Sequence, residues 1–247
     1  MRNKPIRFIN ALSILLKKRS WGPFTEAYET SRFDHAFSVS WSQAGEDLAL
    51  MPILGKITNG RYLDVGAHHP TRFSVTRHLF QSGWSGVNVD ANVDLLREFR
   101  SQRPKDLNLN FCVGTQTSYN LTVFKETAIS TVDPAWKSRF LSEDNAISES
   151  RVVQGITLKS LIEKYFAGGD LDFLNVDIEG ADLDALISAD LVNLDFKLWP
   201  KWVLVESNAP LSEANKSVAV QHLHSFGYQI YLVLPYACLL QKPQTKK

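Results

Sequence analysis

The sequence predicts an α/β protein with a doubly wound, mostly parallel seven-stranded sheet and an antiparallel C-terminal hairpin. Three observations predict it. Short apolar runs alternate with segments of helical period from residue 61 onward. Acids and glycines collect at the carboxyl ends of those runs, where open α/β sheets bind ligands. The last two runs flank Pro235 too closely for a parallel crossover, so they pair antiparallel.

The elements follow in order. "SQAGEDLALMPIL" (42–54) reads as a helix capped by Ser42, with Glu46 and Asp47 near the positive end of its dipole. "RYLDV" (61–65) is a strand, and 71–82 a helix stopped by Gly83. "GVNVD" (86–90) is a strand, followed by a helix over 93–102 with Leu95, Leu96 and Phe99 inward. "LNLNFCV" (107–113) is a third strand and "YNLTVFK" (119–125) an additional one. The polar stretch 126–150 is long for a plain connection and is expected to be a substrate-facing loop or lid, with Ser130, Thr131, Trp136 and Arg139 available to an acceptor. Thr157 caps a helix whose Leu158, Leu161, Ile162, Tyr165 and Phe166 share one face. "LDFLNV" (171–176) is a buried strand, then a helix over 181–191 turns Leu183, Leu186, Ile187 and Leu191 inward. "KWVLVES" (201–207), a helix from Ser212 to Gly227, and the hairpin strands complete the series.

The 247 residues, 44% of them apolar, suit a single large core. Three segments are expected: a basic extension over 1–40, a catalytic domain over 41–241 and a tail over 242–247. The net charge of +1 conceals a split. Residues 1–20 carry six of the 27 basic side chains and no acid, which leaves 21 basic against 26 acidic, a net of −5. That balance excludes nucleic acid as a partner of the body. Within the basic extension, "FINALSILL" (8–16) reads first as a helix packed on the body. A peripheral contact with an anionic membrane surface and a cleaved signal are the alternatives. Cys112 and Cys238 are far apart and read as small buried hydrophobes in a reducing, cytoplasmic compartment.

The stretch "YLDVGAHHP" (62–70) carries the chemistry. A dinucleotide loop needs three glycines to hug a pyrophosphate, and only Gly66 is present. A cofactor without phosphate, S-adenosylmethionine, needs less. Gly66 and Ala67, just after Asp64, permit one close backbone approach. Asp90, with Asn92 beside it, would accept hydrogen bonds from ribose hydroxyls, and Gly114 would leave room for the adenine. His68 and His69 point to opposite faces of an extended loop and so chelate a metal poorly; one of them is expected to line the cofactor or substrate mouth. Asp177 and Glu206 end strands expected to be neighbours, so both carboxylates face one cleft. They read as a base toward a hydroxyl or, less favoured, as ligands of magnesium or manganese. Glu179 joins them or serves the following helix dipole.

"SQAGEDLAL", "YLDVGAHHP", "GVNVDAN" and "FLNVDIEGADLDAL" stand in the order and spacing of the FkbM family of S-adenosylmethionine-dependent methyltransferases, which the chain resembles over roughly residues 40–235. The resemblance implies a Rossmann-like class I methyltransferase that methylates a hydroxyl on a sugar, glycan or related natural product. It assigns Gly66, Asp90 and Asp177 to cofactor or active-site positions, and lays Gln43, Glu46 and Asp47 over the cofactor. The sequence departs from the family at His68-His69-Pro70, where many members carry a second glycine. The alternatives are a catalytically silent binding module of the same fold and a nicotinamide-dependent oxidoreductase.

Overall fold

The computed structural model describes residues 38–207 and 211–245. The basic extension, its apolar stretch, Asn208 and the last two residues lie outside the described residues. Ten strands are described: β1 (Arg61–Val65), β2 (Ser85–Asp90), β3 (Leu107–Asn110), β4 (Cys112–Val113), β5 (Ser118–Phe124), β6 (Ile147–Ile156), β7 (Phe173–Val176), β8 (Trp202–Glu206), β9 (Gln229–Val233) and β10 (Ala237–Gln241). Seven form one sheet in the order β3-β2-β1-β7-β8-β10-β9. All pairs are parallel except those of β10 with β8 and β9. The order reverses between β1 and β7, which opens a crevice at their carboxyl ends.

Seven α-helices accompany them: α1 (Glu46–Leu54), α2 (Arg77–Gln81), α3 (Leu96–Gln102), α4 (Pro134–Ser142), α5 (Leu158–Tyr165), α6 (Asp182–Ile187) and α7 (Val218–Ser225). Helices bury both faces of the sheet, which is why its strands read as apolar runs. Leu63, Val65, Val87, Val89, Leu174 and Val203 pack against Leu158, Leu161, Ile162, Phe166 and Leu223 on one face. Tyr62, Phe173, Leu204 and Leu239 meet Leu50, Leu54, Leu79 and Trp84 on the other. Among the described residues no helix is long and apolar enough to cross a membrane.

Four expectations need correction. The run 107–113 is two strands, since Asn110 still pairs with Asp90 while Cys112 and Val113 turn away to pair with β6. The stretch 126–150 is not a plain loop: α4 and the first four residues of β6 lie in it, and β6 pairs antiparallel with β5 to make a small sheet β4-β6-β5. The helix expected over 71–82 covers only Arg77–Gln81, and Ile187 faces solvent, 48% exposed. Finally, the N-cap residue of α1 is Gly45 and not Ser42, although the Ser42 hydroxyl accepts the first-turn Asp47 amide at 3.2 Å and donates to Asp47 Oδ1 at 2.8 Å.

A buried polar network fixes the segment between β1 and α2. Arg103, fully buried, donates to Thr76 Oγ1 at 2.7 Å, to the Pro70 carbonyl at 2.8 Å and to Ser74 Oγ. Its guanidinium stands 4.0 Å from Asp106, which also takes hydrogen bonds from Tyr62, the Gly86 amide and Asn88. Thr76 passes its own proton to Asp64 at 2.6 Å. Arg103→Met should therefore destabilise the fold by about 3–5 kcal/mol, because it strands buried acceptors. Adding Asp106→Asn should restore part of that loss. Guanidinium unfolding of the single and double variants measures both.

Candidate active site

Two clefts open at the carboxyl ends of the strands. The first encloses about 560 Å³, part of it open to solvent. Its floor is the turn after β1. Gly66 adopts φ +80°, and a Cβ there would lie 1.8 Å from the Asp177 carbonyl oxygen, so only glycine lets the two strand ends cross this closely. Its walls are apolar, from Val89, Phe111, Val113, Leu121, Val132 and Ile178, with Asp90 and Asn92 at one side. Asp90 Oδ2 accepts from the His68 amide at 2.8 Å and Oδ1 from the Asn92 amide at 2.7 Å. Those bonds only partly offset burial, which lifts the Asp90 carboxyl to about 6. Asn92 caps the next turn through the Asp94 amide at 3.2 Å.

The histidines diverge, as expected of adjacent residues. His68 lines the first cleft, stacks on Phe73 and pairs with Thr127 Oγ1 at 3.0 Å. Burial, followed by the Arg72 charge, holds its imidazole down at about 4. His69 turns outward, 2.8 Å from Glu98, and accepts the Arg72 amide at 2.9 Å. Arg72 in turn clasps both oxygens of Glu126, at 2.9 and 2.7 Å. Together these bonds hold the turn 127–129 over the cleft.

The second cleft, about 900 Å³ and likewise open, is lined by Gln43, Glu46, Phe73, Trp136, Arg139, Tyr236 and Glu206 among others. Asp177 and Glu179 line both clefts. Asp177 follows β7, and its side chain is exposed to the cleft space while atoms of both walls crowd round it. Burial first, and then Glu206, Asp182 and Glu179, push its carboxyl well above the usual carboxylate range. The same two influences, burial and Glu206, raise Glu179 to about 8 and Asp182 to about 7. Arg139 partly offsets the rise at Glu179. Trp136 leans on Gly180, where a Cβ would lie 2.0 Å from its ring, and Arg139 covers the indole at 4.9 Å. Thr131 donates to the Glu179 carbonyl at 2.7 Å. Among the described residues no group of three or more histidines, cysteines and acids is arranged to hold a metal ion.

The structure thus brings Asp177, Glu179 and Glu206 together, and Gly66, His68, Asp90 and Asn92 together. Other expected residues lie elsewhere. Asp64 points into the buried network, taking Thr76 at 2.6 Å and Asn175 at 2.9 Å. Ala67 is buried and hydrogen-bonded to the Val89 carbonyl at 3.2 Å. Gly114 is not in the cleft wall; its missing side chain makes room for the Tyr119–Asp184 hydrogen bond of 2.6 Å. Gln43 and Glu46 line the second cleft, and Asp47 ties Ser40, Trp41 and Ser42 together. Sequence reasoning missed Asp182, Thr127 and the Trp136–Gly180 contact. The cap of α4 was legible in Asp133-Pro134, since Asp133 accepts from the Ala135 and Trp136 amides at 2.8 and 2.9 Å.

A family model described as the methyltransferase FkbM domain matches residues 64–230, about two thirds of the chain. The chain belongs to the FkbM methyltransferase family. No curated protein matches the chain. Among solved structures it is similar to a TehB-like S-adenosylmethionine-dependent methyltransferase from Corynebacterium glutamicum, at 13% identity and a TM-score of 0.41 over 95% of this chain and 100% of that one. That likeness is too distant to carry an argument. The first cleft of this FkbM methyltransferase fits S-adenosylmethionine: Gly66 offers the bare backbone, the apolar walls suit a purine, and Asp90 suits a ribose.

Two outcomes are expected. Asp90→Ala should weaken S-adenosylmethionine binding by about 1.5–3 kcal/mol in calorimetry, the loss of a hydrogen bond to a charged group. Stability should fall as pH rises from about 6.5 to about 8. Across that window the folded protein still holds protons on Asp182 and Glu179 that the unfolded chain has released. Below it His68, neutral when folded and protonated when unfolded, acts with the opposite sign. Urea titrations should show the decline, and Glu206→Gln should flatten it.

Proposed function

We propose that this methyltransferase moves a methyl group from S-adenosylmethionine to a hydroxyl of a sugar, glycan or related natural product. The observation that carries the reading is the sharing of Asp177 and Glu179 between the two clefts. A donor in the first and an acceptor in the second would meet at those carboxylates. The second cleft mixes acids, which accept from hydroxyls, with the rings of Trp136, Phe140 and Tyr236, against which the apolar edge of a sugar packs.

When bound, the cofactor supplies an electrophilic methyl on a sulfonium. The protein has to hold the acceptor in line with it and take up a proton. In-line positioning supplies most of the rate. Asp177, in its ionised form, accepts the hydroxyl proton; its raised affinity for protons makes it a stronger base than an ordinary carboxylate. Glu206, Asp182 and Glu179 sustain that affinity, and Arg139 moderates the rise at Glu179 alone.

Asp177→Asn should cut turnover roughly 10²–10⁴-fold while leaving the affinity for S-adenosylhomocysteine almost intact. Wild-type turnover should survive a chelator; loss restored by magnesium or manganese would replace the base with a metal held by Asp177 and Glu206. Activity should rise with pH, because the base must be ionised, along a limb that belongs to the acid cluster as a whole. Glu206→Gln should move that limb to lower pH, since it removes a negative neighbour of Asp177. A pH–rate profile on radiolabelled cofactor and a panel of glycosides measures all of these. A mutant as active as wild type would leave positioning as the sole catalyst.

A further inference from the structure

We infer that the carboxylates at the junction of the clefts read the charge on the cofactor's sulfur, so that the protein holds the methyl donor in preference to the demethylated product. The inference rests on the cofactor of the family and not on the identity of the acceptor. A methyl that passes from one cleft to the other must do so where the clefts meet. The residues common to both are Asp177 and Glu179, and Glu206 stands in the wall of the second. Asp182, buried at the start of α6, and Asp64, beneath β1, add negative charge from behind. Glu46 faces the same space from α1. Among the described residues that line these clefts, the cation is Arg139 on α4, which is also engaged by Glu143 at 3.0 Å and by the Trp136 ring.

A region so short of positive charge welcomes a sulfonium and gains nothing from a neutral thioether. Before the reaction the cation offsets the crowding of the acids. Once the methyl has left, that compensation is gone and the proton taken from the acceptor replaces it. The raised proton affinities of Asp177, Glu179 and Asp182 are what such unrelieved crowding produces in the absence of a cation. Each carboxylate close to the sulfur, screened as groups near a protein surface are, is sufficient for roughly tenfold discrimination.

The test is binding alone, with no acceptor present and EDTA throughout. Calorimetry at pH 8 compares S-adenosylmethionine, S-adenosylhomocysteine, and sinefungin, which places a protonated amine where the donor carries its methyl. Wild type should bind the two cationic ligands about tenfold or more tighter than the neutral one. Glu206→Gln and Glu179→Gln should each shrink that margin severalfold while leaving the affinity for S-adenosylhomocysteine within about twofold. Wild type that binds the neutral product as tightly as the donor would overturn the inference, as would variants that weaken all three ligands alike. Neither result would touch the proposed acceptor, which is judged by turnover.

Discussion

Everything at the site depends on one close approach, the Gly66 backbone against the Asp177 carbonyl. β1 and β7 are neighbours in the sheet, and the chain leaves them in different directions. The turn at Gly66 forms the floor of the first cleft, and the turn at Asp177 forms the partition between the clefts. A side chain at residue 66 would drive its Cβ to 1.8 Å from that carbonyl and pry the turns apart. The hydrogen bonds of the Gly66 and Ala67 amides to Val89, and of the Asp177 amide to Val65, lock both turns to the same three strands. Cofactor floor and candidate base are thus set by one piece of backbone, braced from outside by Arg103.

The acid cluster is the tension built on that frame. Four carboxylates crowd there: Glu206 raises the proton affinity of Asp177, Glu179 and Asp182, and the last two raise that of Asp177. Packing keeps them together because three elements fix them: Asp177 and Glu179 by the end of β7, Asp182 by the first turn of α6 and Glu206 by the end of β8. Asp182 gains some compensation by accepting the Ile178 amide at 3.3 Å. Glu179 sits at φ +53°, a strained conformation for a side-chain-bearing residue, with its carbonyl pinned by Thr131. Strain and like charge concentrated on one turn are expected where charge must move during a reaction and nowhere else in the sheet.

The sheet was legible because its strands are buried on both faces and announce themselves as apolar runs; "RYLDV" is found where the pattern puts it. The small sheet was not. β6 is solvated along most of its length, with Val152 72% exposed, so nothing apolar alternates in "ISESRVVQGI" and propensity alone marks it. Among site residues, acids at strand ends could be found by position. Asp64 could not be sorted from Asp177 in that way. Both stand at a strand's carboxyl end with a glycine two or three residues on, and only the packing of Thr76 and Asn175 turns one of them inward. Gly114 misled for the same reason: a glycine reveals that something approaches it, not what.

The two clefts differ in what builds them, and the difference bears on how acceptor choice is encoded. The floor of the first comes from the ends of parallel strands, where a change disturbs the core. The roof of the second comes from α4, whose residue Trp136 meets the frame at Gly180, three residues after Asp177. α4 is short, it buries Phe140 while most of its other residues are exposed, and its start is set locally by Asp133 and Pro134. Substitutions along it alter the walls seen by an acceptor without reaching Gly66 or Asp90. One constraint remains: whatever occupies residue 136 has to rest on a glycine, because residue 180 turns at φ +96° directly beneath it. α4 is therefore free to vary at its exposed positions and anchored at two, Trp136 on Gly180 and Phe140 on Phe124.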